Sequence, residues 1–408
     1  MHTLTNEAIA LLKEMIAIPS PSFHEEEVSL HISSFLDRCG IVHKRLCNNI
    51  IAINKGYCSE KRTLMLCAHM DTVEPCSGYD FDPYRPDIET ATAAINRDTD
   101  SCARLTNNTI SAGNLIPGLG SNDDGASAVS MIAAFRHFHE ADLPFNLMLV
   151  ISAEEERSGA DGMHLVWEKL QEGLELPCAG TCGTDSHGGG YGTDGKASVK
   201  MVKACPPDYA IAGEPTGMKA AIAERGLLVI DGCAEGVSGH AARGEGVNAL
   251  YIALDDIQRL RDFRFTRTSP LMGDVRLSVT QINAGTAHNV IPDKCTFVVD
   301  IRPTEQYSNP EILEMLQGEC RSRLTARNLT NRSSATKEGS PLLRCAEKTG
   351  IITFVSPTTS DWMRIGCDTI KMGPGDSSRS HRKNEYVTAE EIEQGILTYI
   401  RFIENFKK

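Results

Sequence analysis

Leu64-Met65-Leu66-Cys67-Ala68-His69-Met70-Asp71 is an apolar run that ends in a His-x-Asp pair. In a strand, side chains two apart face the same way, so His69 and Asp71 can share one site. A metal-ligating histidine needs an acceptor near its other ring nitrogen to fix the tautomer, and Asp71 can serve that purpose. A polar pair closing a strand is the plainer alternative.

The same form recurs along the chain. Leu147-Met-Leu-Val-Ile-Ser runs into Glu154-Glu155-Glu156, and Tyr209-Ala-Ile-Ala-Gly runs into Glu214-Pro215-Thr216. Gly118-Leu-Gly120-Ser-Asn-Asp123-Asp124-Gly125 is a glycine turn before a helical stretch at 126–139, and Lys371-Met-Gly373-Pro374-Gly375 leads to His381. Each has a structural explanation: an aspartate caps a helix, and acids suit a helix start. Two adjacent acids after a glycine turn can also send one carboxylate inward while the other caps. In the acidic run, one glutamate can bind a cation while its neighbour is the general base. Taken together, these strand ends offer hard oxygen and imidazole donors, and open α/β sheets gather ligands at the carboxyl ends of their strands.

The surrounding chain reads as α/β. Helical spacing is seen at 7–18 and 24–38, strands at 49–54, 64–68 and 146–152, and a final helix at 389–406. Residues 86–113 are polar with little periodicity and read as a surface insertion. Residues 177–198 are glycine-rich and read as a loop. Cys178, Cys182 and His187 in that loop match no structural zinc spacing, so an ordinary loop is the reading there. From about residue 220 the texture changes, with strands at 227–233, 278–282 and 295–301 and helices at 247–261 and 310–327. This α+β unit is inserted into the larger one, giving domains of 1–219, 220–332 and 333–408.

At 408 residues, a large domain plus a smaller one is the expectation. The formal charge of −13 provides no basic field for nucleic acid or an anionic membrane. No stretch approaches the roughly 20 apolar residues of a membrane span. The start has no basic segment followed by an apolar one, and the 14 cysteines are scattered, so a cytoplasmic setting with reduced thiols is expected.

At these motifs the chain resembles the metallopeptidase family of acetylornithine deacetylase, succinyl-diaminopimelate desuccinylase, aminoacylase and glutamate carboxypeptidase, and looks most like the bacterial acetylornithine deacetylase branch. The resemblance implies a zinc-peptidase-like catalytic domain, a mixed sheet with helices on both faces, carrying an inserted α+β lid and dimerisation domain. It implies two Zn2+, with Co2+ or Mn2+ as substitutes: one ion on His69 and Glu214, the other on Glu156 and His381, and Asp123 bridging. Asp71 would orient His69, and Glu155 would be the general acid/base.

In the inserted unit, Ser238-Gly-His240-Ala and Ala287-His-Asn289-Val-Ile-Pro match the lid motifs. The resemblance implies that His240 reaches the partner subunit's site in a homodimer and helps polarise the scissile carbonyl, with Asn289 crossing beside it. Arg302 and Arg225 are candidates for binding a substrate carboxylate, since a guanidinium pairs with one through two bonds; a surface salt bridge is the alternative for both. The segment Ala241–Asn248 is one residue shorter than the family pattern and lacks its proline. Asp123-Asp124-Gly125 stands where the pattern has Asp-Met-Lys-Gly. The implied activity is removal of an N-acetyl or N-succinyl group from a small ornithine-like amino acid, as in arginine biosynthesis. N-acylcitrulline, succinyl-diaminopimelate and dipeptides are rival substrates, and a metal-free amino-acid-binding protein is the non-enzymatic alternative.

Overall fold

The computed structural model describes residues 2–102, 110–179 and 199–406. The chain forms two compact units. One comprises 1–222, 336–354 and 360–408, and the other comprises 223–335 and 355–359.

The main sheet of the larger unit contains β1 (His43–Leu46), β2 (Asn49–Ile53), β3 (Thr63–His69), β4 (Asn146–Ser152), β5 (Tyr209–Ala212), β6 (Ala220–Glu224) and β7 (Asp368–Lys371). They lie side by side in the order β1-β2-β4-β3-β5-β7-β6. The four central strands are parallel to one another, whereas β1, β2 and β6 run antiparallel to their neighbours.

β3 and β4 are buried along their whole length, because both faces of the sheet are covered. Leu64, Leu66 and Ala68 face helices α1 (His2–Ile16), α4 (Ala126–Phe138) and α6 (Ala389–Asn405), through residues such as Leu12, Val129 and Tyr399. Met65 and Cys67 point the other way, into a cluster with Val166 and Leu170 of α5 (Met163–Glu172). This two-sided burial is why these strands read as continuous apolar runs rather than alternating ones. Truncating Leu66 or Leu149 to alanine would cost about 2–5 kcal/mol. The second helix, α2 (Glu26–Arg38), packs on the same side as α1, with Val28, Ile32 and Leu36 in the first cluster.

The stretch at 86–113, expected as an irregular insertion, contains helix α3 (Ile88–Cys102). Ile88, Ala91, Ala94 and Ile95 have helical spacing, and the last three are buried with Phe81, Leu115 and Tyr386. Small alanines among polar neighbours gave this face little weight. Residues 174–179 form a strand paired with 199–204, so 177–179 are strand where a loop was expected, and 180–198 lie outside the described residues. Cys178 is buried in that strand, while Cys182 and His187 lie outside the described residues. Among the described cysteines none forms a disulfide.

The smaller unit is a four-stranded antiparallel sheet, in the order 276–284, 294–302, 228–235, 323–326. Its strands alternate, with Cys295, Phe297, Val299 and Ile301 turned towards Ile252, Ala253, Ile312 and Leu316 of two helices. The helix expected at 310–327 spans Asn309–Glu319. Asp256 accepts the N–H groups of Arg321 (3.1 Å) and Ser322 (2.7 Å), and the chain leaves the helix to become the strand at 323–326. Among the described residues no helix is long and apolar enough to cross a membrane.

Candidate metal centre

The parallel core of the larger unit brings its strand ends to one edge. His69 pairs with Ser152, Cys67 with Ala212, and Ala212 with Lys371. The segments that follow β4, β5 and β7 therefore start level with His69, and they carry Glu154–Glu156, Glu214 and His381.

The buried ring of His69 has its Nδ1 3.0 Å from the backbone carbonyl of Asp71. A carbonyl only accepts, so Nδ1 carries the proton and Nε2 presents its lone pair. Nε2 lies 3.3 Å from Oδ1 of Asp123. Two acceptors at that distance need a proton or a cation between them. Burial alone would lower the pKa of His69, but hydrogen bonds to Asp123 and Asp71 outweigh it and raise it.

The carboxylate of Asp71 does more than was expected. Its Oδ1 is 3.5 Å from His69 Nδ1, beside the shorter contact from the backbone carbonyl of the same residue. The carboxylate accepts the N–H of Glu155 (3.0 Å), the N–H of Glu156 (3.1 Å) and the hydroxyl of Ser22 (2.7 Å). Glu154 makes this possible by adopting φ 59°, a left-handed turn directly after β4. Its own side chain folds back to accept the N–H of Asp161, leaving Glu155 and Glu156 to the site.

Asp123 sits in a single wide turn, Ser121–Gly125, with non-helical φ −118° and ψ 99°. One oxygen faces His69, and the other, Oδ2, is 3.7 Å from Nε2 of His381. His381 Nε2 is also 2.9 Å from Oε2 of Glu156. Donor atoms of His69, Asp123 and Glu156 all lie within 4.8 Å of one another. Neither aspartate caps α4. Asp124 is instead buried, its oxygens without a hydrogen-bond partner of ordinary geometry. Burial pushes its pKa up to about 8, against the pull of His69 and Ser127.

Glu214 follows Gly213, where a Cβ would stand 2.7 Å from Asp124 Oδ2 and 3.0 Å from Ala68 Cβ, so the β5 turn requires glycine. Burial, then Asp123 and Asp124, raise the pKa of Glu214, while the buried Lys371 pulls it down. Burial likewise raises Glu155 well above the usual carboxylate range, and Glu214, Asp361 and Glu156 add to it while His69 opposes. Burial also raises Glu156, with His381 opposing. In turn the hydrogen bond to Glu156 raises His381 to about 9. This crowd of carboxylates and imidazoles is relieved by divalent charge, and all its donors are nitrogen or oxygen, a set that suits zinc, cobalt or manganese.

Two contributors had no role assigned in the sequence reading. Glu385, four residues after His381, accepts the N–H groups of Asn122 (2.9 Å) and Asp123 (3.0 Å) and so holds the Asp123 turn. Burial pushes it up to about 8. Asp361 accepts the hydroxyl of Ser152 at 2.5 Å, at the end of β4. Its spacing from the other motifs carries no signal, whereas Glu385 could have been sought near the last histidine.

The remaining candidates belong to the smaller unit. His240 is exposed on a short strand pair, Gly239–His240 with Val290–Ile291, and Asn289 next to it accepts the N–H of Ala241. Arg302 is held by both oxygens of Asp300, at 2.8 and 3.0 Å. Arg225 departs from the expectation of a substrate anchor. It is buried, and its guanidinium donates to the backbone carbonyls of Met272, Asp274 and Arg302, so it ties loops of its own unit together.

Residues 222–327 match the family model of the peptidase dimerisation domain of M20 type. The match spans most of the inserted unit, which is similar to that domain. An acetylornithine deacetylase of Myxococcus xanthus is 26% identical over 208 residues, covering 45% of this chain and 54% of that protein. The chain thus spans about half the length of the curated relative it matches. Among solved structures, an aminopeptidase of Bacillus cereus superposes with a TM-score of 0.67 at 17% identity, over 99% of both chains. A dinuclear metal-binding peptidase of the M20 family from Bacillus subtilis gives 0.63 at 13% identity, over 99% of this chain and 98% of its own. The chain has the fold of these peptidases, an α/β unit with an inserted α+β unit.

Proposed function

We propose that this M20-like chain is a dinuclear metal-dependent amidohydrolase acting on small N-acyl amino acids. The observation that carries this reading is the divided carboxylate of Asp123, one oxygen towards His69 and the other towards His381, with Glu156 beside it. One Zn2+ would be held by His69 and Glu214 and a second by Glu156 and His381, with Asp123 common to both; Co2+ or Mn2+ would substitute. Bound cations supply Lewis acidity, polarising an acyl carbonyl and easing deprotonation of water.

The protein residues supply the rest. Glu155, a half-buried carboxylate whose pKa is raised by desolvation, accepts a proton from water and returns it to the leaving amine. Asp71 fixes the backbone that presents Glu155 and Glu156. The chain would act as a homodimer through its dimerisation domain, with His240 and Asn289 serving the site of a second copy. Arg302 is the candidate for holding a substrate carboxylate.

The preferred substrate is an N-acetyl- or N-succinyl-ornithine-like amino acid, a reading supported by the Myxococcus xanthus relative. Hydrolysis of short peptides is the second reading, favoured by the aminopeptidase among the fold neighbours. Assay of zinc-loaded protein on a panel of N-acetyl and N-succinyl amino acids and dipeptides separates them. Faster deacylation of ornithine derivatives supports the first. Cleavage of dipeptides alone replaces it with the second, and no amide cleavage with two ions bound overturns both.

A further inference from the structure

His381 is the most loosely housed of the site's donors. Its side chain is 55% exposed, so packing does little to aim it. The loop it begins contains two non-glycine residues in the left-handed region, His381 at φ 58° and Asn384 at φ 60°. Such a loop relaxes unless its surroundings fix it.

The restraint comes from two carboxylates far away in sequence. Asn384 is 4% exposed, and its whole amide is engaged. Oδ1 accepts the N–H of Asp80 at 3.0 Å, and Nδ2 donates to Asp80 Oδ2 at 2.7 Å and to Asp98 Oδ2 at 2.8 Å. Lys383 Nζ adds ion pairs of 3.1 Å to Asp80 and 3.7 Å to Asp98. Those ion pairs are exposed and contribute little. The Asn384 bonds are shielded and charge-assisted, which makes them the stronger restraint.

Asp98 is carried by α3, which is itself firmly seated. Ala91, Ala94 and Ile95 are buried under Phe81 and Tyr386, and Asn96 exchanges two hydrogen bonds with Ile110 beyond the helix. Glu385, next to Asn384, holds the Asp123 turn. The His381 loop is therefore pinned at a point that also borders the support of Asp123.

We infer that α3 positions the metal ligand His381, with Asp98 acting through Asn384. The inference rests on the metal-site reading above, and it gives the 86–113 stretch a task in the catalytic unit. Asp98 touches no reacting atom on this account; it is a positioning residue.

The test is zinc titration of chelator-stripped protein against a chromophoric chelator, comparing wild type with Asp98→Ala, Asp98→Asn and Asn384→Gly. Wild type should bind two ions. Asp98→Ala should keep one at wild-type affinity and weaken the other by about 10–100-fold, the usual effect of losing a ligand's support. Asn384→Gly suits the left-handed backbone while deleting the amide, and should show the same selective loss. Asp98→Asn retains an acceptor oxygen and should stay near wild type. Two ions held equally tightly by wild type and Asp98→Ala would remove the inference alone. Equal weakening of both ions in all three variants would also remove it, since that marks general loosening. A wild-type chain that binds no zinc would remove the metal-site reading and this inference with it.

Discussion

Glu155 and Asp71 are the residues whose replacement separates chemistry from architecture. Glu155→Gln keeps the size of the side chain and the N–H bonded to Asp71, but removes the proton acceptor. Zinc content should match wild type while kcat falls by about 10²–10⁴-fold; metal analysis beside steady-state kinetics checks it, and an unchanged rate assigns the base elsewhere. Asp71→Asn should act on the frame instead. An amide offers one acceptor where the carboxylate serves three donors, Ser22, Glu155 and Glu156, and leaving a buried donor unpaired costs about 1–3 kcal/mol. Denaturant unfolding should show that loss. His69, Asp123, Glu156, Glu214 and His381 stood out in sequence because each follows an apolar strand or a glycine turn, and it was the family resemblance that implied their role as a ligand set. Asp124, Glu385 and Asp98 did not. What they do depends on contacts made only in the folded chain, such as the bond between residues 98 and 384, 286 positions apart.

Among the elements, the turn after β7 is sharply constrained. A Cβ on Gly373 would stand 2.2 Å from Ser127 Oγ and 2.5 Å from the backbone carbonyl of Glu214. Gly373→Ala should therefore displace Glu214 as well as strain the core. A loss of about 1–3 kcal/mol in stability is expected, together with weaker zinc binding; an alanine variant with wild-type zinc affinity would show that the turn does not position Glu214. Strands buried on both faces were readable as long apolar runs. Helix α3 was not, because its inward face is two alanines and an isoleucine set among polar residues. The helix ending at Glu319 gave no warning in sequence either, since its end is set by Asp256, which lies on another helix.

At the scale of the whole molecule, the centre makes metal-free protein sensitive to alkali. Asp124 and Glu385 rise from 3.8 and 4.5 to about 8, and His381 from 6.5 to about 9. Groups whose pKa is raised by folding add stability below their unfolded pKa and lose it as pH climbs through the folded value. For the two carboxylates that window runs from about 4 to 8, and for His381 from about 6.5 to 9. Chelator-treated protein should accordingly unfold at lower temperature at pH 8.5 than at pH 6, and zinc should restore more stability at the higher pH. A melting temperature that rises across this range would contradict the buried, unrelieved carboxylates. Association is a separate matter: the dimerisation domain predicts a dimer by light scattering at micromolar concentration, and a strictly monomeric protein would leave His240 without a site to serve. The central proposal is a paired cation site at the ends of β3, β4, β5 and β7. Its most direct test is amide cleavage by chelator-stripped protein, followed as zinc is added in fractions of an equivalent per chain. The prediction is negligible activity at the start and a rise that saturates at two zinc ions per chain; activity indifferent to zinc would contradict it.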